Sequence, residues 1–381
     1  MNKKKILLIT EGQIIGDPRI ERMYRYLLNK KIILHTASSV LELKKNHFLL
    51  SPDNNYSLRK MIKKNFFSFI IIILKTIFRD LKTYCQVHYE SVKNLNLNQY
   101  DYIFVFDLKI LYSVSNNVQK KKIIWDAREY YPEQFNQKFL WNFLNNKIII
   151  KLISKSLNKV LIAFTVSEGL RDKYQKTFNK KFLIFYSVAN FFKLKPKFPK
   201  KIISIVHHGV CSETRKIENY FELGKKLGSG YKVYLMLKIV NQHYYENLIK
   251  LYKNVKNVKF LSPAKMHDIP KKINKFDIGI MLGLKKSFNH IYAMPNKLFE
   301  SIQGRLCLIY NPLIDARNFI KKNKCGYCSS DFSIDSMANL IKQLNQNDIY
   351  KAKLASNELS RKYNTKNFYK DFDKIFKKLV T

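Results

Sequence analysis

The sequence predicts an α/β protein made of two successive parallel-sheet halves. Three observations carry this. Short apolar runs alternate with longer helical spans from the N-terminus onward. The alternation pauses at residues 193–200, Lys-Leu-Lys-Pro-Lys-Phe-Pro-Lys, and then restarts. At 381 residues the chain also has room for two ordinary α/β domains of roughly 100–200 residues each.

The elements follow in order. Residues 6–10, Ile-Leu-Leu-Ile-Thr, read as the first buried strand. Asp17 caps the first helix, and Pro18 occupies its first position, where a missing N–H costs nothing. Arg19, Arg22 and Arg25 follow at three-residue steps, down one helix face that either suits an anionic surface or is simply solvated. Further strands are expected at 32–36, 102–106, 122–125 and 160–166. In the second half they are expected at 202–207, 231–237, 258–261, 277–281 and 306–310. From 331 the chain reads as helical, with 363–379 the last helix. The division is then a first domain over 1–192, a linker over 193–200, a second domain over 201–360 and a closing helical segment over 361–381.

Composition narrows the function. Hydrophobic residues make up 46% and aromatics 14%, enough apolar surface for packed cores. The 70 Lys and Arg against 28 Asp and Glu give a formal charge of +42, which attracts polyanions. The cations are mostly Lys in dispersed pairs, without the Arg forks or modules of base readers, so an anionic membrane surface is favoured over specific nucleic acid. The apolar run 66–74 is too short for the roughly 20 residues of a spanning helix. Flanked by Lys63, Lys64, Lys75 and Arg79, it fits an interfacial helix or a core helix. No signal peptide is visible, and the cysteines at 85, 211, 307, 325 and 328 fit a reducing cytoplasm. Cys325 and Cys328 form a C-x-x-C with no second pair or nearby His, so no metal site is expected.

The most informative segment runs from Met294 through Pro295, Asn296, Lys297, Leu298 and Phe299 to Glu300. Pro-Asn ends a loop and starts a helix, whose free N–H groups and positive end suit a phosphate. Lys297 adds a cation there, and Glu300, on the same face, can accept two hydrogen bonds from a vicinal diol such as a ribose. His208-Gly209 ends the first strand of the second half, where glycine allows close backbone approach and His208 serves as a ligand or a packed strand-end residue. Arg215, just beyond, offers a fork for a diphosphate. In the first half Gly12 and Gly16 bracket the loop after the first strand, and Ser167 reads as a helix cap before it reads as a ligand. Asp126, Arg128 and Glu129 follow a buried strand, and carboxylates at such ends are catalytic candidates.

These blocks resemble, in order and over nearly the whole chain, a GT-B fold glycosyltransferase of the kind grouped as glycosyltransferase family 4. They are Gly12–Arg22, Trp125–Glu133, Val166–Gly169, His208-Gly209 with Arg215, Asp277–Ile280 and the Pro295–Glu300 helix. The resemblance implies two facing Rossmann-like domains with a cleft between them and a C-terminal helix crossing back. It implies an enzyme that moves a sugar from a nucleotide-diphosphate sugar to a lipid-linked or surface-polysaccharide acceptor, as in lipopolysaccharide or capsule synthesis. Retention of configuration, no metal and no cofactor go with it, as does a cytoplasmic place, peripheral on the inner face of the membrane.

By the same resemblance His208, Gly209, Arg215, Tyr292, Pro295, Asn296, Lys297, Leu298 and Glu300 form the donor site. Gly12, Gly16, Asp17, Arg19 and Ser167 face the acceptor. Arg215, Lys297 and Glu300 join Asp126, Arg128 and Glu129 as the catalytic set. The chain departs from the family at several positions. Tyr292 stands where the first of two paired glutamates is usual, Val210 where a cation is usual, Lys238 where a glycine is usual, and Arg128 where a histidine is usual. Arginine stays protonated, so Asp126 or Glu129 is the nearest base. A sugar-nucleotide 2-epimerase of the same fold, or a non-catalytic relative that binds nucleotide, remains an alternative.

Overall fold

A computed structural model describes residues 3–40, 46–50, 81–134 and 139–380. The expected helix at 66–74 lies outside these residues. The chain divides into two compact units, Met1–Tyr186 with Ser287–Asn289, and Ser187–Lys286 with His290–Thr381. The final helix, Thr365–Val380, falls in the second.

Among the described residues the first unit holds a seven-stranded parallel sheet. Its strands are β1 (Lys5–Ile9), β2 (Ile33–Ser38), β3 (His47–Leu49), β4 (Tyr102–Val105), β5 (Ile123–Ala127), β6 (Val160–Thr165) and β7 (Phe182–Ile184), in the order β3-β2-β1-β4-β5-β6-β7. β1 forms as a strand because its Ile and Leu side chains are apolar on both faces, and Ile6 to Ile9 are fully buried between β2 and β4. Helix α1 (Pro18–Leu28) starts where expected, with the Asp17 carboxylate accepting from the Arg19 and Ile20 N–H groups at 3.0 and 3.1 Å.

The second unit holds a six-stranded sheet of β8 (Ile203–Cys211), β9 (Tyr231–Ile239), β10 (Val258–Leu261), β11 (Ile278–Met281), β12 (Cys307–Tyr310) and β13 (Gly326–Cys328), in the order β10-β9-β8-β11-β12-β13. Both faces are covered. Ile205, Val233 and Leu235 share one core with Tyr220, Leu223, Met337 and Ile341, while Val206 and Met236 share another with Ile273, Phe276 and Leu306. β8 and β9 pair beyond the expected ends, from Gly209 with Leu237 to Cys211 with Ile239.

The strands β3, β7 and β13 were not foreseen. Each spans three residues at a sheet edge, too short for an apolar period to register. The stretch 193–200 is irregular, as expected, but it is fastened to the second unit. Asn274 donates to the Lys195 carbonyl at 3.1 Å and Gln346 to the Pro199 carbonyl at 3.0 Å. Arg305, buried and at φ 59°, donates to the Phe192 carbonyl at 2.6 Å and the Gln303 carbonyl at 2.5 Å. Burial, with Arg361 nearby, pulls its guanidinium down to about 10.

Candidate functional site

In each sheet the strand order reverses at one point, between β1 and β4 in the first unit and between β8 and β11 in the second. Ligands of open α/β sheets bind at the carboxyl ends of the strands flanking such a reversal.

In the second unit β8 ends there with His207, His208 and Gly209. Gly209 adopts φ +154°, and a β-carbon built on it would lie 2.6 Å from Lys297 Nζ and 2.8 Å from Lys297 Cε. Glycine is therefore required twice, for its conformation and for the amine packed against it. Lys297 comes from α2 (Asn296–Gln303), whose first turn follows Pro295. Burial lowers the amine's pKa first and the charge of Arg215 lowers it further, against a pull from Glu300, to about 8. Arg215 ends a short 3-10 turn, Glu213–Arg215, and is exposed. Two cations thus share a helix start and a glycine strand end, and neither has an ion-pair partner among the described residues.

One turn into α2, Glu300 is 4% exposed, and His208 Nε2 donates to its Oε2 at 2.8 Å. Sequence reasoning singled out His208, Gly209, Arg215, Lys297 and Glu300, and the fold gathers all of them at this rim. Pro295, Asn296 and Tyr292 are partly exposed beside it. Leu298 requires a correction. Its side chain is fully buried in the core and its N–H donates to the Pro295 carbonyl at 3.0 Å, so it offers a ligand neither its side chain nor its N–H. His207 was missed. It lies 4% exposed, with Nδ1 3.1 Å from the Ile280 carbonyl and 2.8 Å from the Tyr220 hydroxyl. Burial, then the Lys297 charge, push its pKa well below the ordinary histidine value. Only its place beside His208 marked it in the sequence.

The first unit carries a charged network at its own reversal. Asp107, at the end of β4, accepts from the Thr10 hydroxyl and the Glu11 N–H, each at 2.7 Å. Arg128 donates to Asp17 at 2.7 Å and to Asp107 at 3.1 Å. Burial opposes the Arg128 charge, but Tyr131, Asp107, Asp17 and Asp126 outweigh it and hold the guanidinium above its ordinary range. Arg19 was expected to face the acceptor. It is buried, donating from Nε and Nη2 to both oxygens of Asp126 at 2.6 and 2.7 Å, and from Nη1 to the Phe185 carbonyl at 2.5 Å. Arg25 bonds Glu21, whose carboxylate also takes the Gly16 N–H at 2.8 Å. Ser167 caps the helix Glu168–Phe178 through the Leu170 N–H and is fully buried. A β-carbon on Gly12 would meet nothing within 4 Å. Glu129 is half-buried. Asp107 was missed, although a carboxylate at the end of the apolar run 102–106 carries the same signal as Asp126.

Neither a family model nor a curated protein sequence matches this chain. Solved structures do match in three dimensions. A glycosyltransferase from Rickettsia africae has a TM-score of 0.66 at 14% identity, with 100% of each chain covered. HepE from Anabaena, in complex with UDP and glucose, has a TM-score of 0.66 at 11% identity, covering 98% of this chain and 100% of its own. Sucrose-phosphate synthase from Thermosynechococcus elongatus has a TM-score of 0.68 at 10% identity, with 99% of each covered. The likeness extends over both units, and the fold is GT-B, two Rossmann-like domains in one chain.

Proposed function

We propose that the protein is a glycosyltransferase that takes a sugar from a nucleotide-diphosphate donor, with UDP as the nucleotide carrier. One observation carries the reading. The Lys297 amine is packed on Gly209 beside Arg215, at a helix start and at the sheet's reversal, and neither cation makes an ion pair among the described residues. Such a place suits a diphosphate, and Glu300 one turn away suits the ribose diol. Several of the matching solved structures contain UDP or a UDP-sugar, three of them of HepE, which supports the choice of carrier.

When the bond from the anomeric carbon to the phosphate oxygen breaks, negative charge gathers on the departing diphosphate. Lys297, Arg215 and the α2 start lie ready for it, and loss of one such group costs about 10²–10³ in rate. The carboxylate of Asp126 is occupied by Arg19, and Arg128 is held by Asp17 and Asp107. The transfer is one with retention, in which the acceptor oxygen bonds the anomeric carbon on the face being vacated and its proton passes to the leaving phosphate oxygen. No metal and no cofactor takes part. The acceptor is a lipid-linked or surface polysaccharide, met at the inner face of the cytoplasmic membrane.

The test is turnover of a panel of nucleotide sugars by purified protein, with and without acceptor lipid extracts. Wild-type turnover that persists undiminished in the Lys297→Ala, Glu300→Ala double variant would reject the assignment. The paired states of Asp126 and Arg128 also favour a second reading, a nucleotide-binding relative without transfer activity. UDP binding in calorimetry with no turnover on any donor selects that reading, and a changed sugar formed without acceptor selects an epimerase.

A further inference from the structure

The end of β8 puts two histidines side by side, and successive residues on a strand point to opposite faces. We infer that His207 and His208 are positioning residues with separate tasks, His207 holding the Lys297 amine for the donor diphosphate and His208 holding the Glu300 carboxylate for the donor ribose. This rests on the donor-site reading above.

His207 faces Tyr220 and the Ile280 carbonyl. A ring nitrogen 3.1 Å from a carbonyl oxygen carries the proton, so Nδ1–H donates to Ile280, with the Tyr220 oxygen close enough to share it. Nε2 is then left with a lone pair. It lies 3.8 Å from the point where a Gly209 β-carbon would stand, and Lys297 Nζ lies 2.6 Å from that same point. Both nitrogens therefore sit over Gly209. The two nitrogens make no hydrogen bond as they stand, but an ammonium has three donors and no acceptor, so the lone pair offers the lysine stem a fixed acceptor within a short swing. The burial of His207 and the nearby Lys297 charge keep the ring neutral, and only the neutral ring has that lone pair.

His208 faces the other way. Its Nε2–H donates to Glu300 Oε2 at 2.8 Å, and both residues are 4% exposed. Fixing one oxygen sets the carboxylate plane, and a planar acceptor reads a vicinal diol only in the right orientation. Mere packing histidines would make neither assignment specific.

Calorimetric titration of the full-length protein with UDP separates the cases. His207→Asn keeps a donor for Ile280 and removes Nε2, while His208→Leu removes the donor to Glu300. Each is expected to weaken UDP about tenfold, the size of coupling seen between contacting residues. The His207→Asn effect disappears in a Lys297→Ala background and persists with Glu300→Ala. The His208→Leu effect does the reverse. His208→Gln, which keeps an N–H at that reach, restores binding.

Inorganic pyrophosphate feels only His207→Asn, and 2′-deoxy-UDP no longer feels His208→Leu. Thermal unfolding without ligand shows whether each variant is folded. If His208→Leu is not, the comparison of His208→Gln with Glu300→Ala on UDP and 2′-deoxy-UDP decides that arm. Histidine effects that simply multiply with both partners' effects overturn the inference. Failure of wild-type protein to bind UDP overturns the donor reading itself.

Discussion

Lys297 is the residue on which chemistry and acidity meet. A lysine amine lowered to about 8 loses its charge within the working range of most assays. The protonated form attracts the diphosphate, so UDP affinity is expected to fall as pH rises through about 8. Lys297→Arg should flatten that dependence, because a guanidinium stays charged throughout. Lys297→Ala removes a charged hydrogen-bond partner worth about 1.5–3 kcal/mol, or about 10–150-fold in affinity, measurable by calorimetry at pH 7. Gly209→Ala acts through the same amine. The new methyl meets the movable end of Lys297, and the φ of +154° strains any side chain there, so UDP affinity and melting temperature should both fall. Lys297 and Glu300 were legible in the sequence because they are three apart on one helix. The His208 contact was not, since 92 residues separate it from Glu300 and only the sheet closes that distance.

At the scale of elements, buried ion pairs fix which helix meets which strand. Lys353, fully buried on the helix Gln346–Lys362, donates to the Phe276 carbonyl at 2.8 Å and to Asp277 at 3.2 Å. Asp277 in turn accepts from the Ser204 N–H at 2.9 Å and its hydroxyl at 2.6 Å, tying β8 to the approach to β11. Lys353→Met leaves a buried carboxylate without its cation and is expected to cost about 3–5 kcal/mol in urea unfolding. The Lys353→Met, Asp277→Leu, Ser204→Ala triple variant should recover part of it. The long strands were readable because they are continuous apolar runs. The edge strands were not, since they hold only a few residues and no period. The linker was readable as irregular, but its attachment through Arg305 was not. There the chain places an arginine with positive φ, and its role appears only once the Phe192 carbonyl is beside it.

At the scale of the whole molecule, the doubled α/β pattern was the clearest message in the sequence. It rests on many residues at once, and no single substitution disguises it. The net charge of +42 is equally plain, though its purpose needs a measurement. If the charge serves a membrane surface, the protein will co-sediment with vesicles containing anionic phospholipid and not with neutral ones. That binding will fall steeply between low salt and about 0.5 M, where the screening length shrinks to a few ångströms. Among the described residues no helix is long and apolar enough to cross a membrane. Retention on anionic vesicles at high salt would point to an apolar contact in addition.

The crowding of Lys297 against Gly209 and Arg215 has a thermodynamic corollary. Near pH 8 a fraction of the protein enters the encounter with its amine neutral, and the arriving anion makes the charged form the cheaper one. Complex formation then draws a fraction of a proton from solution. The apparent enthalpy measured in Tris should differ from that in phosphate by this fraction times the difference in their heats of ionisation, and substitution of Lys297 by alanine should bring the two readings together.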